Sequence, residues 1–425
     1  MIRTSKHITR YSNKNKIKKL SIFIDEYRRV ASELINYLWN NEYVFNVKDE
    51  EHIFNIKENK LKFPSMLTSD IVQKANIVSF LSGRALKCCL TQIAGMINSE
   101  VEKQMKRLII LNKLKFEGKP RKERKNLIKR LKQNIPQIPY CGNINPELNS
   151  ICCQYRKIES KEFDGYLRLT SITKDKMDIR IPIKMTRHSR KLSSRGNLKS
   201  SFLIKKDEID FRWDIMTPVK KEEGNIVGAD QGLLDILSLS DKQTTPKRDI
   251  HGHSLSSILD KMSRKVKGSR GFRKAQDHRE NFINWSINQL NFSNIKQVNL
   301  ERIWNIGYRN ATSRMMSHWT NTIIRDKVES RCEELGVQVN HQGSTYRSQR
   351  CSSCGIVKKT NRKGKVYLCS CGNIIDADYN AALNHEVKLP EIPYSFRSFK
   401  LNVDGFYWLE SGIFSLEGRS LQSLF

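Results

Sequence analysis

Arg350-Cys351-Ser352-Ser353-Cys354-Gly355 is followed, fourteen residues on, by Cys369-Ser370-Cys371-Gly372 and then by Asp376-Ala377-Asp378-Tyr379-Asn380-Ala381-Ala382-Leu383-Asn384. Four thiolates on two tight turns satisfy a tetrahedral Zn²⁺, and a glycine directly after each cysteine pair supplies the backbone freedom such knuckles need. With Cys351, Cys354, Cys369 and Cys371 all sulfur, no coordination position is left open, so the pattern predicts a structural zinc ribbon and not a catalytic zinc. Thr360–Lys365, between the pairs, reads as a hairpin-like insert, and the run after the second pair opens an alanine-rich helix. The other six cysteines (Cys88, Cys89, Cys141, Cys152, Cys153, Cys332) read as ordinary buried thiols.

Outward from this stretch, the preceding hundred and fifty residues deliver acids to the ends of strands. Ile226-Val227-Gly228-Ala229-Asp230-Gln231-Gly232 is a strand ending in an acid and a glycine turn, and Leu233–Ser240 is a second strand that pairs back antiparallel. Ile295–Glu301 is another strand with an acid at its end, and Asp376 and Asp378 stand at the start of the alanine-rich helix. A nuclease using two Mg²⁺ ions about 4 Å apart needs carboxylates converging from separate elements, because hard divalent ions take oxygen ligands. Alone, each acid has an ordinary explanation: Asp230 as a turn residue, Glu301 as a solvated side chain, Asp376 as a helix cap.

Taken in order and spacing, Gly228–Gly232, Val298–Glu301, Tyr346–Gly355, Cys371-Gly372 and Asp376–Asn384 resemble the split RuvC nuclease and embedded zinc ribbon of transposon-encoded TnpB proteins and their miniature type V CRISPR effector relatives. The specific motifs cover roughly residues 224–386, and the first 220 residues match in size and texture. The resemblance implies an RNA-guided DNA endonuclease that binds a guide RNA and target DNA and cuts by a two-metal mechanism. It also implies that Asp230, Glu301 and Asp378 form the Mg²⁺-binding catalytic triad. Asp378 is preferred to Asp376 because the family's acid directly precedes the x-Asn-Ala-Ala run. Three departures bear on the subfamily: the second knuckle is Cys-x-Cys, Arg302-Ile303-Trp304 follows Glu301, and Gln231 stands where an aliphatic residue is usual.

The charge agrees. Lys plus Arg number 76 against 44 Asp plus Glu, leaving +32 over 425 residues, far beyond what solubility requires, and a polyanion is the expected partner. No stretch approaches the length of an uncharged apolar span and no apolar segment follows the first charges, so no membrane role and a cytoplasmic, nucleoid-associated location are expected.

Residues 17–50 predict an amphipathic helix through Ile22, Tyr27, Val30, Leu34, Ile35 and Leu38, and a second helical tract runs over 68–111 from Ser69-Asp70. Residues 101–135 hold thirteen Lys or Arg against three Glu, with helical apolar spacing at Leu127, Ile128 and Leu131. From Pro136 to about Lys220 short alternating runs predict strands, with 186–200 as a basic flexible loop. Helix is expected again over 254–290 and 312–335, and a short strand at Val337-Gln338-Val339.

The fold class is therefore α+β and multi-domain. A wedge-like N-terminal region with the start of the helices (1–67) leads into an inserted helical recognition module (68–135) and then a β-rich wedge region with a basic linker (136–223). An RNase H-like (RuvC) nuclease follows (224–345 and 376–388), with the zinc ribbon inserted (346–375), and then a tail (389–425). The tail's aromatics, Tyr394, Phe396, Phe399, Phe406, Tyr407, Trp408 and Phe414, read as a packing extension. Trp39, Tyr43 and Phe45 are candidates for base stacking, with core packing the plainer account. His251 and His253 in His-Gly-His have no cysteine nearby in sequence to share a metal with. Two other functions fit parts of the pattern: an RNA-guided DNA-binding repressor that does not cut, and a protein-only transposase accessory DNA binder. Oligomeric state, monomer or asymmetric dimer, is not encoded in any of these motifs.

Overall fold

The computed structural model describes residues 1–40, 67–116, 138–232, 235–303, 318, 321–392 and 400–421. The chain is α+β and divides into two compact units, Met1–Met216 and Thr217–Phe425. Leu127, Ile128, Leu131, Tyr43, Phe45, Tyr394, Phe396 and Phe399, named above, lie outside the described residues.

In the first unit, β1 (Ile2–Ile8) leads into α1 (Lys14–Asn40), α2 (Leu67–Lys74) and α3 (Gly83–Phe116). The strands β2 (Glu147–Leu148), β3 (Cys153–Lys157), β4 (Gly165–Leu169) and β5 (Ile179–Ile183) follow, then α4 (Arg187–Ser193), β6 (Gly196–Ile204) and β7 (Glu208–Ile215). One sheet has the order β1-β7-β6-β2 and the other β3-β4-β5, so helices are inserted between the first strand and its sheet partners. The α1 helix forms because Leu20, Phe23, Ile24, Tyr27, Val30, Ala31, Leu34, Ile35 and Leu38 recur every three or four residues and are all buried. Ile22, assigned to that face from the sequence, is 50% exposed; its neighbours Phe23 and Ile24 fill the core in its place. A single apolar core joins α1, α3 and both sheets.

Two expectations are corrected here. The tract over 68–111 breaks between α2 and α3, where Asn76 turns the chain at φ +50° and Ser82 caps the next helix by accepting from Ala85 N at 3.2 Å. Residues 186–200 are not a loop. Thr186 caps α4 by accepting from Ser189 N at 3.1 Å, Ser189 and Leu192 are buried, and β6 starts at Gly196.

In the second unit, β8 (Asn225–Gln231) and β9 (Leu237–Leu239) form the expected antiparallel pair, followed by α5 (Leu255–Ser263), α6 (Arg270–Asn288), β10 (Ile295–Arg302), α7 (Asn321–Leu335) and β11 (Gln338–Gly343). The helical tract expected over 254–290 is two helices, separated where Gly268 takes φ +85° and Ser269 caps α6. The sheet order is β11-β10-β8-β9, with β8, β10 and β11 parallel. One face, carrying Val227, Ala229, Val298 and Leu300, packs on buried residues of α5, α6 and α7.

The cysteine-bearing segment supplies β12 (Ile356–Val357), β13 (Arg362–Lys363), β14 (Val366–Leu368) and β15 (Ile374–Asp376), then α8 (Ala377–Glu386), β16 (Phe406–Leu409) and β17 (Gly412–Phe414). The described part of the tail is a packing extension. β16 pairs with β12, Phe406 and Trp408 are buried, and the Trp408 indole donates to Pro390 O at 3.1 Å. Among the described residues no helix is long and apolar enough to cross a membrane. All six remaining cysteines are buried and unbridged, as read from the sequence.

Candidate metal centres

Each cysteine knuckle is a short backbone loop. Gly355 N donates to Cys351 O at 3.0 Å and Gly372 N to Cys369 O at 3.0 Å, and the two glycines sit at φ +79° and +89°, where a Cβ would be strained. The loops bring one sulfur of each cysteine within 4.8 Å of all the others, with Cys351–Cys371 at 3.7 Å and Cys354–Cys369 at 3.6 Å. A tetrahedron with arms of about 2.3 Å has edges of roughly 3.8 Å, so the four sulfurs fit one thiophilic ion.

Asp230 and Glu301 come together because β8 and β10 are parallel neighbours with Ala229 opposite Leu300, which places the next residue of each strand side by side. Alternation puts Gly228, Asp230, Asn299 and Glu301 on the sheet face that α8 covers. That covering is close: a Cβ on Gly228 would lie 2.0 Å from Ala382 O and 2.5 Å from Glu386 N. Ala381 and Ala382 are fully buried, which is why two small side chains follow one another there. The asparagines of the same run tie α8 to the first knuckle. Asn380 Nδ2 donates to Arg350 O at 2.8 Å, and Asn384 Nδ2 donates to Arg350 O at 2.7 Å and Arg347 O at 3.1 Å.

The two candidate acids at the head of α8 do different things. Asp376 is the cap, its Oδ1 accepting from Asp378 N at 2.9 Å and Tyr379 N at 3.0 Å. Asp378 is buried at 5% exposure and receives Arg362 Nη2 at 2.9 Å and the Lys365 ammonium. Lys365 also bridges to the buried Asp235 at 2.7 Å. Arg362 and Lys365 flank the β13–β14 turn, so the expected insert is a hairpin whose cations face the acid.

Burial, then the neighbouring charges of Glu301 and Asp378, pushes the Asp230 carboxyl well above the ordinary carboxylate range. Burial likewise pushes Glu301 up to about 7. Such carboxyls keep protons near neutrality until a cation displaces them. Gln231, the residue that departs from an aliphatic, donates its Nε2 to Glu301 O at 3.1 Å and so fastens the ends of the two strands.

The sequence reading missed His385. An imidazole nitrogen of His385 and one carboxylate oxygen each of Asp230 and Glu301 lie within 4.8 Å of one another. The ring is 1% exposed and its Nδ1 has no hydrogen-bond partner. Burial lowers it to about 3, so it is a neutral ligand at neutral pH. Its signal was the seven-residue spacing from Asp378, two helical turns along one face. An orphaned buried nitrogen beside two buried carboxyls fits a divalent cation, which would satisfy all three.

Comparison with known proteins identifies relatives of part of the chain. Residues 322–385 match the family model described as "Cas12f1-like, TNB domain". The CRISPR-associated endodeoxyribonuclease Cas12f1 of Sulfoacidibacillus thermotolerans is 37% identical over 97 residues, 22% of each chain. A Streptomyces pristinaespiralis protein described as a candidate RNA-guided DNA endonuclease is 28% identical over 189 residues, 40% of this chain and 46% of that one. The matched stretch thus spans about a fifth of the Cas12f1 and under half of the Streptomyces protein. A solved Cas12f1–sgRNA–target DNA complex has a TM-score of 0.49 at 15% identity, covering 85% of this chain and 82% of that one. The chain therefore resembles miniature type V effectors and related RNA-guided endonucleases, as its motifs alone indicated.

Proposed function

We propose that this chain is an RNA-guided DNA endonuclease of the TnpB and miniature type V kind, with guide RNA and target DNA as its partners. The four-stranded sheet of the second unit with α8 is its RNase H-like (RuvC) core, the Cys₄ centre is a structural Zn²⁺ ribbon, and Asp230, Glu301 and Asp378 are its catalytic acids. The observation that carries this reading is the convergence of Asp230 and Glu301 from neighbouring parallel strands under a helix that adds His385 to them and holds Asp378 near enough to act on the Asp230 charge.

Two Mg²⁺ ions, when bound, would supply a water-derived nucleophile and stabilise the charge developing on a phosphodiester. Asp230, Glu301 and His385 would hold the ions, and Asp378, which pairs with Arg362 and Lys365, would add a further carboxylate. Arg362 and Lys365, placed at Asp378, would be positive groups suited to a phosphate. Gly228 and the two alanines keep α8 against the sheet, so that the acids hold their spacing without help from substrate.

The test is to express the chain with its native flanking DNA, sequence the RNA that co-purifies, and challenge the complex with a plasmid library randomised beside the guide match. Wild type should deplete a motif and Asp230→Ala should not. RNA-dependent binding with no depletion by wild type in Mg²⁺ would replace cutting with repression, and absence of bound RNA would overturn the reading as a whole.

A further inference from the structure

The His-Gly-His motif finds in the fold what it lacks in the sequence. In the loop before α5, Gly252 at φ +79° turns the chain so that the backbone N–H groups of His251 and His253 both donate to Asp249 Oδ1 at 2.9 Å. This fixes the carboxylate and aims its Oδ2 at His253 Nδ1, 3.2 Å away. From α6, His278 stands edge-on to His253 with ring centroids 4.7 Å apart. One ligating atom from each of Asp249, His253 and His278 falls within 4.8 Å of the other two.

An Asp–His hydrogen bond accounts for the first two side chains but not for the third. A second imidazole, delivered from a separate helix and edge-on to the first, brings a third ligating side chain to the same point. The separation of 3.2 Å is close to the roughly 3.3 Å edge of a tetrahedron with arms of about 2.0 Å, the length of metal bonds to imidazole and carboxylate. Two nitrogens and one oxygen suit a borderline divalent ion such as Zn²⁺, whereas Mg²⁺ and Ca²⁺ prefer oxygen throughout. The backbone bonds to Asp249 are the outer support such ligands usually have.

We propose that Asp249, His253 and His278 form a metal site separate from both the cysteines and the nuclease acids. It takes a borderline divalent cation with water completing its coordination, and it staples the loop to α6.

The test uses Co²⁺ as the probe on the full chain with its ribbon zinc-loaded and Asp230→Asn introduced to silence the acidic centre. Binding should give visible ligand-field bands without sulfur charge transfer. His278→Gln and His253→Gln should each weaken it by more than the roughly tenfold to hundredfold that loss of an outer-shell partner costs. Asp249→Asn, which keeps an acceptor for the two N–H groups, should weaken it similarly. Failure to bind Co²⁺, or binding indifferent to all three substitutions, would overturn the site. Nuclease activity plays no part in the readout, so this result is independent of the function proposed above.

Discussion

Glu301 sets the pH behaviour of the acidic centre. Its carboxyl lies at about 7 in the fold against an ordinary 4.5, so between those values the unfolded chain releases a proton that the folded one keeps. Metal-free stability therefore falls as pH rises across that window, by on the order of a few kcal/mol, and buried Asp230 contributes with the same sign. A bound divalent cation takes the proton's place. The gap between melting temperatures in Mg²⁺ and in chelator should widen from pH 5 to above 7 and then level off; a gap independent of pH would contradict this account. At this scale the sequence was a partial guide. It preferred Asp378 to Asp376 on motif order alone, and the backbone of the first helical turn adds a physical reason by engaging Asp376 with two N–H groups. The spacing of His385 from Asp378 could be read only once the strand that this helix face covers was known.

The packing of α8 on β8 decides whether the acids meet. With a Cβ at Gly228 meeting the backbone of Ala382 and Glu386, no rotamer change relieves the clash, and the helix must lift. Gly228→Ala should cost at least the 1–3 kcal/mol usual for overpacking, seen as a lower denaturation midpoint of the full chain, and should depress cleavage more than nucleic-acid binding. An alanine variant with unchanged midpoint would mean that α8 sits less tightly than described. Element types were largely legible here because periodicity and alternation are local properties. The boundaries were less so. Neither break, after α2 or after α5, carries a proline, and α4 and β6 arise from a serine-rich basic stretch whose helix exists because Leu192 has a core to enter.

The whole molecule is dominated by its charge of +32. If 6–10 phosphates are neutralised on binding, affinity for duplex or heteroduplex should fall by on the order of 10³–10⁵ between 50 and 200 mM salt, a slope measurable by titration at several salt concentrations. A shallow slope would assign the excess charge to solvation. The pairing of β1 with β7 carries a different consequence. Ile2 faces Asp214 and Ile8 faces Glu208, so the first strand waits through some two hundred residues of synthesis before its partner exists. At ribosomal speeds of about 5–20 residues per second that is 10 to 40 seconds of an unpaired edge. The helices encoded in between can gather around α1 meanwhile, which makes the emerging chain a client for chaperones just where its first unit is still open.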